Sequence, residues 1–459
     1  MEFCKRVTRV TALAALVLAW PVADARAQAG LIPSSDIVDL PYTGLDPTRK
    51  WLAERGFTYG GIYTGETMSN LAGGLKRGTV YQGKGEGFIG LDFDKFTNWR
   101  GLSFFANAFQ INGTGGISRN LVGNIQTISN IEALSTTRLS EMWFEQKFFN
   151  DTMTIRAGQL VSDTEFFYSK VSEFFPTSDW PAITAVNWPS GGPAYPLSTP
   201  GVRIKIDPNP NLSWLTAVFN GDPAGPGPLD PEIKNSHGIN FRMNDAPVVI
   251  SELIYRYNQG KDDKGLSGNI KLGAWYHSGQ FDSQRFASDG RLLADPTSTG
   301  VAKRLRGNQG IYTVVEQQLY RPQGGDADSG INTFLRASVN PSDRNLIAAY
   351  LDGGIVFSGF IPGRPNDKFG ASFLYSKFSG QAAAYDRDFG FYTGQIVPVH
   401  SSELSFELAY MIQMKPWWTL QPDFQYVIRP SGIPTNNYEP SIGPLKNASI
   451  FTIRSVMKY

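Results

Sequence analysis

Residues 402–414 read SELSFELAYMIQM, with Leu404, Phe406, Leu408, Tyr410, Ile412 and Met414 on one parity and Glu403, Ser405, Glu407 and Gln413 on the other. Successive side chains of a strand point to opposite faces, so a period of two marks a strand with one apolar and one polar face. Two architectures satisfy this pattern. In a soluble sandwich the apolar face turns to a core; in an outer-membrane barrel it turns to lipid and the polar face lines the interior.

The chain opens MEFCKRVTRVTALAALVLAW, with Lys5, Arg6 and Arg9 ahead of an apolar run from Val10 to Trp20, followed by Ala25-Arg26-Ala27. A basic start, a short apolar centre and an A-x-A site predict a secretory signal peptide over 1–27, cut before Gln28. Cys4 is the only cysteine, and its removal with the leader excludes disulfides, zinc–thiolate sites and a cysteine nucleophile. Export without cysteine fits a bacterial envelope protein. No later stretch approaches the ~18 consecutive apolar residues of a membrane helix. A hydrophobic fraction of 41% and a mean hydropathy of −0.23 resemble a soluble protein. A barrel strand, however, needs apolar side chains only at alternate positions. The net charge of +1 offers nothing to nucleic acid, which is not expected as a partner. Aromatics at 13% and 48 glycines match aromatic girdles and tight turns.

The segment LDPTRKWLAERG predicts a short helix, with Asp46 as cap, Pro47 in the first turn and Gly56 as stop. It belongs to an N-terminal segment, 28–56, expected on the periplasmic side. From 57 to 459 the chain reads as strands near 57–67, 84–94, 101–112, 138–149, 152–161, 200–207, 212–220, 236–243, 248–257, 268–278, 308–320, 331–340, 346–357, 367–378, 402–414, 418–430 and 447–459. Bacterial single-chain barrels have even strand numbers, short periplasmic turns and longer external loops. Keeping 236–243 would place the long 279–307 segment on the short-turn side. Assigning GINFRMN to an external loop leaves about sixteen strands and brings Tyr459 to the end where the N-terminus starts. Pro422, inside a strand, is expected to sit at a bulge. The closing NASIFTIRSVMKY alternates and stops on an aromatic, as does the signal read by barrel-insertion machinery, an expected partner alongside outer-membrane lipid. The fold class is therefore all-β: a transmembrane antiparallel β-barrel with a short N-terminal helix.

Five further stretches, RGFTYGGIYTGETMSNLAGGLKRGTVYQG, LSEMWFEQKFF followed by IRAGQLVSDTEFF, GGPAYPLSTPGVRI and WWTLQPDFQYVIRPSG, together resemble the carbohydrate-selective porins of the OprB family, in order and in spacing. The resemblance runs from about residue 47 to the C-terminus. It implies a sixteen-stranded outer-membrane barrel with a narrow waist of arginine, glutamate and aromatic side chains, passing sugars such as glucose by diffusion, with no cofactor and no enzymatic activity.

Alternation names the inward side chains: Glu141, Trp143 and Glu145 in LSEMWFEQKFF, Arg156 in TMTIRAGQ, Arg203 and Lys205 in GVRIKI, and Glu252 and Arg256 in VVISELIYRY. A charge on the lipid face would cost about 2–4 kcal/mol near the midplane, which favours the inward placement. A sugar presents hydroxyls and C–H patches, for which carboxylates, guanidinium groups and aromatic faces are the matching partners. The same charges also serve as wall scaffolding in any large barrel. The loop from Val161 to Pro200, with Trp180, Trp188 and Tyr195, is the expected constriction, its alternative being a loop on the outer rim. His237, His277 and His400 show no metal-ligand spacing, QGKGEGF precedes a strand rather than a helix, and no metal site is expected. The rival readings are an outer-membrane lipase or protease, a general porin without sugar selectivity and a soluble sugar-binding protein.

Overall fold

A computed structural model describes residues 46–177, 180–260, 263–324, 329–430 and 445–459; the predicted leader and its cleavage point lie outside these. Sixteen antiparallel strands follow one another in chain order and close on themselves. They are β1 (Phe57–Gly74), β2 (Gly78–Asp92), β3 (Leu102–Gly113), β4 (Thr136–Phe148), β5 (Met153–Leu160), β6 (Thr199–Asn209), β7 (Leu212–Asn220), β8 (Pro247–Tyr257), β9 (Gly268–Ala287), β10 (Ala302–Tyr320), β11 (Gly330–Val339), β12 (Ile347–Ser358), β13 (Lys368–Phe378), β14 (Ser402–Lys415), β15 (Trp418–Ile428) and β16 (Lys446–Lys458). Closure gives every strand a neighbour on both sides, which lets a sheet cross lipid.

The alternation of β14 resolves in favour of the barrel. Phe406 and Leu408 are exposed on the outer surface, while Glu403 and Glu407 are buried inside. Residues 236–243 lie outside the sheet, as the parity of the connections requires.

Helix α1 (Asp46–Glu54) ends at Gly56, whose φ of 84° suits glycine. It sits at the turn end and supports the seam, where Arg49 Nη2 donates to the Tyr459 carbonyl (2.9 Å) beside the Gly61–Tyr459 backbone pair (2.7 and 3.1 Å).

Three local expectations are corrected. The first long-side connection is only 75–77, because β1 runs on to Gly74 and β2 begins at Gly78, where both meet the 114–135 loop. Asn70 Nδ2 donates to Leu121 O (3.1 Å), and Met68 and Val80 pack with Ile117, Leu121 and Val122. The 279–307 stretch is largely a hairpin extension of β9 and β10, paired from Arg304↔Asp282 to Ala302↔Ala287. Its polar sequence hides the strand period, and it is steadied by the Gln284 N to Asp343 O bond (2.8 Å) from the short 340–346 loop. Pro422 makes no bulge: β14 and β15 keep one register on both sides of it, and Pro422 itself pairs with Ile453 of β16.

Helices α2 (Ala182–Ala185), α3 (Pro231–Lys234) and α4 (Gly380–Thr393) lie in the long loops. The last was not expected from sequence, although Ser379 caps it through Ala382 N (2.9 Å) and Gly394 ends it at φ 68°.

Candidate functional site within the barrel

The interior is crossed by two of the long loops. The 161–198 loop leaves β5 and moves across the lumen, held by inward-facing side chains of the far wall. Glu252 of β8 accepts from Phe167 N (3.0 Å) and from the Tyr312 hydroxyl (2.7 Å). Glu316 of β10 accepts from Ser169 Oγ (2.5 Å) and Val171 N (2.9 Å), and Glu407 of β14 accepts from Thr177 N (3.2 Å). The loop carbonyls are held in turn: Arg336 donates to Phe167 O (3.2 Å), Lys271 to Tyr168 O (2.7 Å) and Arg454 to Pro176 O (3.1 Å). A buried backbone segment needs partners for its N–H and C=O groups, and here the wall charges supply them.

Apolar packing fixes the same side of the loop. Phe167 stacks on Tyr312 at 4.3 Å and 18°, and Trp180, Trp188 and Trp275 form an edge-to-face series at 5.6 and 5.1 Å. Val248, Ile250 and Ile254 of β8 face inward to meet it. The 114–135 loop enters beside β14–β16, where Glu403 accepts from Ile125 N (3.0 Å) and Gln126 N (2.8 Å) and Glu66 accepts from Ser129 Oγ (2.5 Å).

On the opposite wall, β2–β6, the inward side chains make a charged and aromatic row. Glu145 accepts from Arg156 Nε (3.0 Å) and Arg203 Nη2 (2.6 Å), and Arg203 also reaches Glu165 at the root of the 161–198 loop (2.9 Å). The Arg156 guanidinium lies 3.8 Å from the Trp143 ring centre, Trp143 stacks on Phe105 (5.2 Å), and Phe105 stacks in turn on Phe88 (6.2 Å). Loopward of these, Glu141 N donates to Asn107 Oδ1 (2.7 Å), Asn107 Nδ2 donates to Glu86 (2.8 Å), and Lys84 pairs with Glu86 (3.6 Å). Lys84 Nζ also sits 4.8 Å from the Phe109 ring and 5.1 Å from that of Tyr195.

Two loop groups in this row have displaced acidities. Burial alone would raise Glu165, but Arg156 and Arg203 outweigh it and hold the carboxyl below its ordinary range. Burial pushes the Tyr195 phenol well above its usual value, so the hydroxyl stays neutral and donates to Ile131 O (2.9 Å).

A model of the carbohydrate-selective porin, OprB family, matches residues 76–458. The chain belongs to that family. It is 23% identical over 407 residues to Porin B of Pseudomonas aeruginosa, covering 84% of this chain and 86% of that one. The fold resembles the high-pH structure of Pseudomonas putida OprB, with a TM-score of 0.78 at 20% identity over 90% of this chain and 96% of the other. The low-pH structure of the same protein gives a TM-score of 0.54 at 16% identity, covering 92% and 98%. This OprB-family chain is thus an outer-membrane β-barrel porin.

Within it, all eight charged or aromatic strand residues named from alternation face inward. Glu145, Trp143, Arg156 and Arg203 are brought together in one packed cluster; Lys205 instead pairs with Asp207 (3.0 Å), Arg256 donates to Ser213 Oγ (2.7 Å), and Glu252 holds the loop. Trp180 and Trp188 are buried on the far wall, away from Tyr195, which faces Lys84 and Phe109. Sequence reasoning missed Lys84, Glu86 and Asn107, although the period of two in β2 and β3 already turns them inward. It also missed Glu316, Glu403 and Glu407 as loop anchors. Their parity was legible, but nothing local tells which backbone amide a carboxylate will meet.

Proposed function

We propose that this porin passes monosaccharides and similar uncharged polyols by passive diffusion, through the space between the 161–198 loop and the β2–β6 wall. The observation that carries this reading is the division of the lumen. The apolar side of the loop packs mainly onto β7–β13, with Phe88, Phe105 and Trp143 of β2–β4 closing the same cluster, whereas Lys84 and Glu86 on β2 keep 17% and 13% of their side-chain surface. The row of Lys84, Glu86, Asn107 and Glu141 offers donors and acceptors to sugar hydroxyls, and the half-buried Tyr195 ring, backed by Phe109, offers a flat face to C–H patches. Both signs of charge in one row oppose strong ion selectivity, and contacts of this kind are weak enough to release solute. Glu145, Arg156 and Arg203 then act from behind, by fixing the loop root that carries Tyr195.

We also infer that the long-loop end faces outward and the turn end, with α1 and Tyr459, faces the periplasm. The leader is removed and the last strand is read by insertion machinery. No cofactor and no catalytic step belong to this reading. The one His–carboxylate pair among the described residues, His400 with Asp386 (2.6 Å), joins a loop return to α4.

Swelling of proteoliposomes tests the proposal. Glucose is expected to enter faster than an uncharged non-sugar of similar size. Equal rates would leave a general porin, and ester or peptide hydrolysis by channels that pass neither solute would favour the enzyme reading.

A further inference from the structure

The GINFRMN segment has the alternation of a strand but no place in the barrel, and its apolar side chains are left exposed on the surface. Ile239, Phe241 and Met243 are 63%, 46% and 81% exposed. Three large apolar side chains in a row on a surface need an apolar neighbour to make sense.

The position of the segment says which neighbour. The strands of this sector are short, with eight residues in β5 and nine in β7 against twenty in β9, so the wall is low here. Pairing of β4 with β5 begins only at Met142↔Gln159, which leaves the upper part of β4 open on that side. The chain at 235–238 covers this edge: Leu139 N donates to His237 O (3.0 Å), Thr136 Oγ1 to Ser236 O (2.8 Å) and Arg138 Nη2 to Asn235 O (2.9 Å). From there the segment runs to Asp245, whose N–H donates to Asn220 Oδ1 (2.9 Å) at the top of β7. It therefore bridges β4 to β7 as a strap above β5 and β6.

Just below the strap, the outer wall carries Val202, Val218 and Val249, exposed on the lipid face of β6, β7 and β8. The outward side chains of β5–β7 nearest the loop end include no aromatic, unlike β9 with Tyr276, β13 with Tyr375 and β15 with Tyr426. The strap supplies Phe241 at this gap. Asn240 and Asn244 alternate with the apolar residues, and Arg242 is paired with Asp245 (2.6 Å), so no unpaired charge accompanies the apolar side chains.

We propose that residues 239–243 form a lipid-contacting strap, with Ile239, Phe241 and Met243 dipping into the acyl chains of the outer leaflet while the backbone, Asn240 and Asn244 stay among the head groups. Irregular backbone is not tolerated in the hydrocarbon itself but is at the interface, where amphipathic segments bury one face to a shallow depth. The inference stands whatever solute the pore passes.

Nitroxide labels at Phe241→Cys and Met243→Cys, each in the full chain carrying Cys4→Ser and reconstituted in vesicles, test it. Leu253→Cys on the lipid face of β8 and Lys303→Cys on the exposed β9–β10 hairpin are the references. Both strap labels are expected to collide preferentially with oxygen over a water-soluble nickel complex, as at Leu253 but shallower. Preference for the nickel complex, as at Lys303, would overturn the proposal. So would exclusion of both agents with spin–spin broadening, which would identify a second copy of the chain as the neighbour.

Discussion

The Glu165 carboxylate and the Arg203 guanidinium lie 2.9 Å apart, joining the root of the 161–198 loop to β6. Because Glu165 is held below its ordinary range by Arg156 and Arg203, this clamp is fully present above the unfolded value of about 4.3 and is lost as pH falls through the lower folded value. Acidification through that lowered value is therefore expected to loosen the loop, seen as rising open-channel current noise. The Glu165→Gln variant should be noisy at neutral pH and show a flatter acid response. Unchanged noise in that variant would separate the ion pair from loop order.

Truncation of Glu252 to alanine leaves Phe167 N–H and the Tyr312 hydroxyl without their acceptor. An unsatisfied buried donor costs about 1–3 kcal/mol, so Glu252→Ala should lower the heating temperature at which the barrel loses its compact gel mobility. Glu252→Gln keeps an acceptor and should fall between the two. Equal stability of all three forms would remove Glu252 from the set of loop anchors.

Gly273 leaves room for the ring that carries Phe167. A Cβ there would lie 2.0 Å from Tyr312 Cζ, and Tyr312 is buried and stacked, with little freedom to move aside. Overpacking of this kind costs about 1–3 kcal/mol, so Gly273→Ala should destabilise the folded barrel and disturb conductance together. Gly87→Ala, with nothing within 4 Å of the added carbon, should do neither.

Tyr195 is expected to act as a sugar platform. An aromatic contact contributes about 0.5–1.5 kcal/mol, so Tyr195→Ala should weaken glucose block of the current roughly two- to tenfold. Tyr195→Phe keeps the ring and should retain most of it. If both variants bind glucose like the parent, the platform lies elsewhere.

The barrel was legible because a period of two, repeated along the chain, reports a one-sided environment without any tertiary knowledge. Glu403 and Glu407 against Phe406 and Leu408 show it directly. The polar extensions of β9 and β10 were not legible, since outside lipid both faces of a strand are wet and the period vanishes. Inward placement of Trp143 and Arg156 followed from parity, but their mutual stacking depends on β4–β5 register, which no local pattern fixes. Proximity in sequence groups Trp180 and Trp188 with Tyr195. The loop's crossing of the lumen instead separates them, because its partners Trp275 and Lys84 sit on opposite walls.

The central claim is tested most directly by the ion current of the detergent-extracted protein in a planar bilayer, titrated with glucose and with an uncharged non-sugar of similar size. Open channels that glucose alone blocks, in a saturable way, are expected. Channels that respond to neither solute, or to both alike, would contradict a sugar site in the pore.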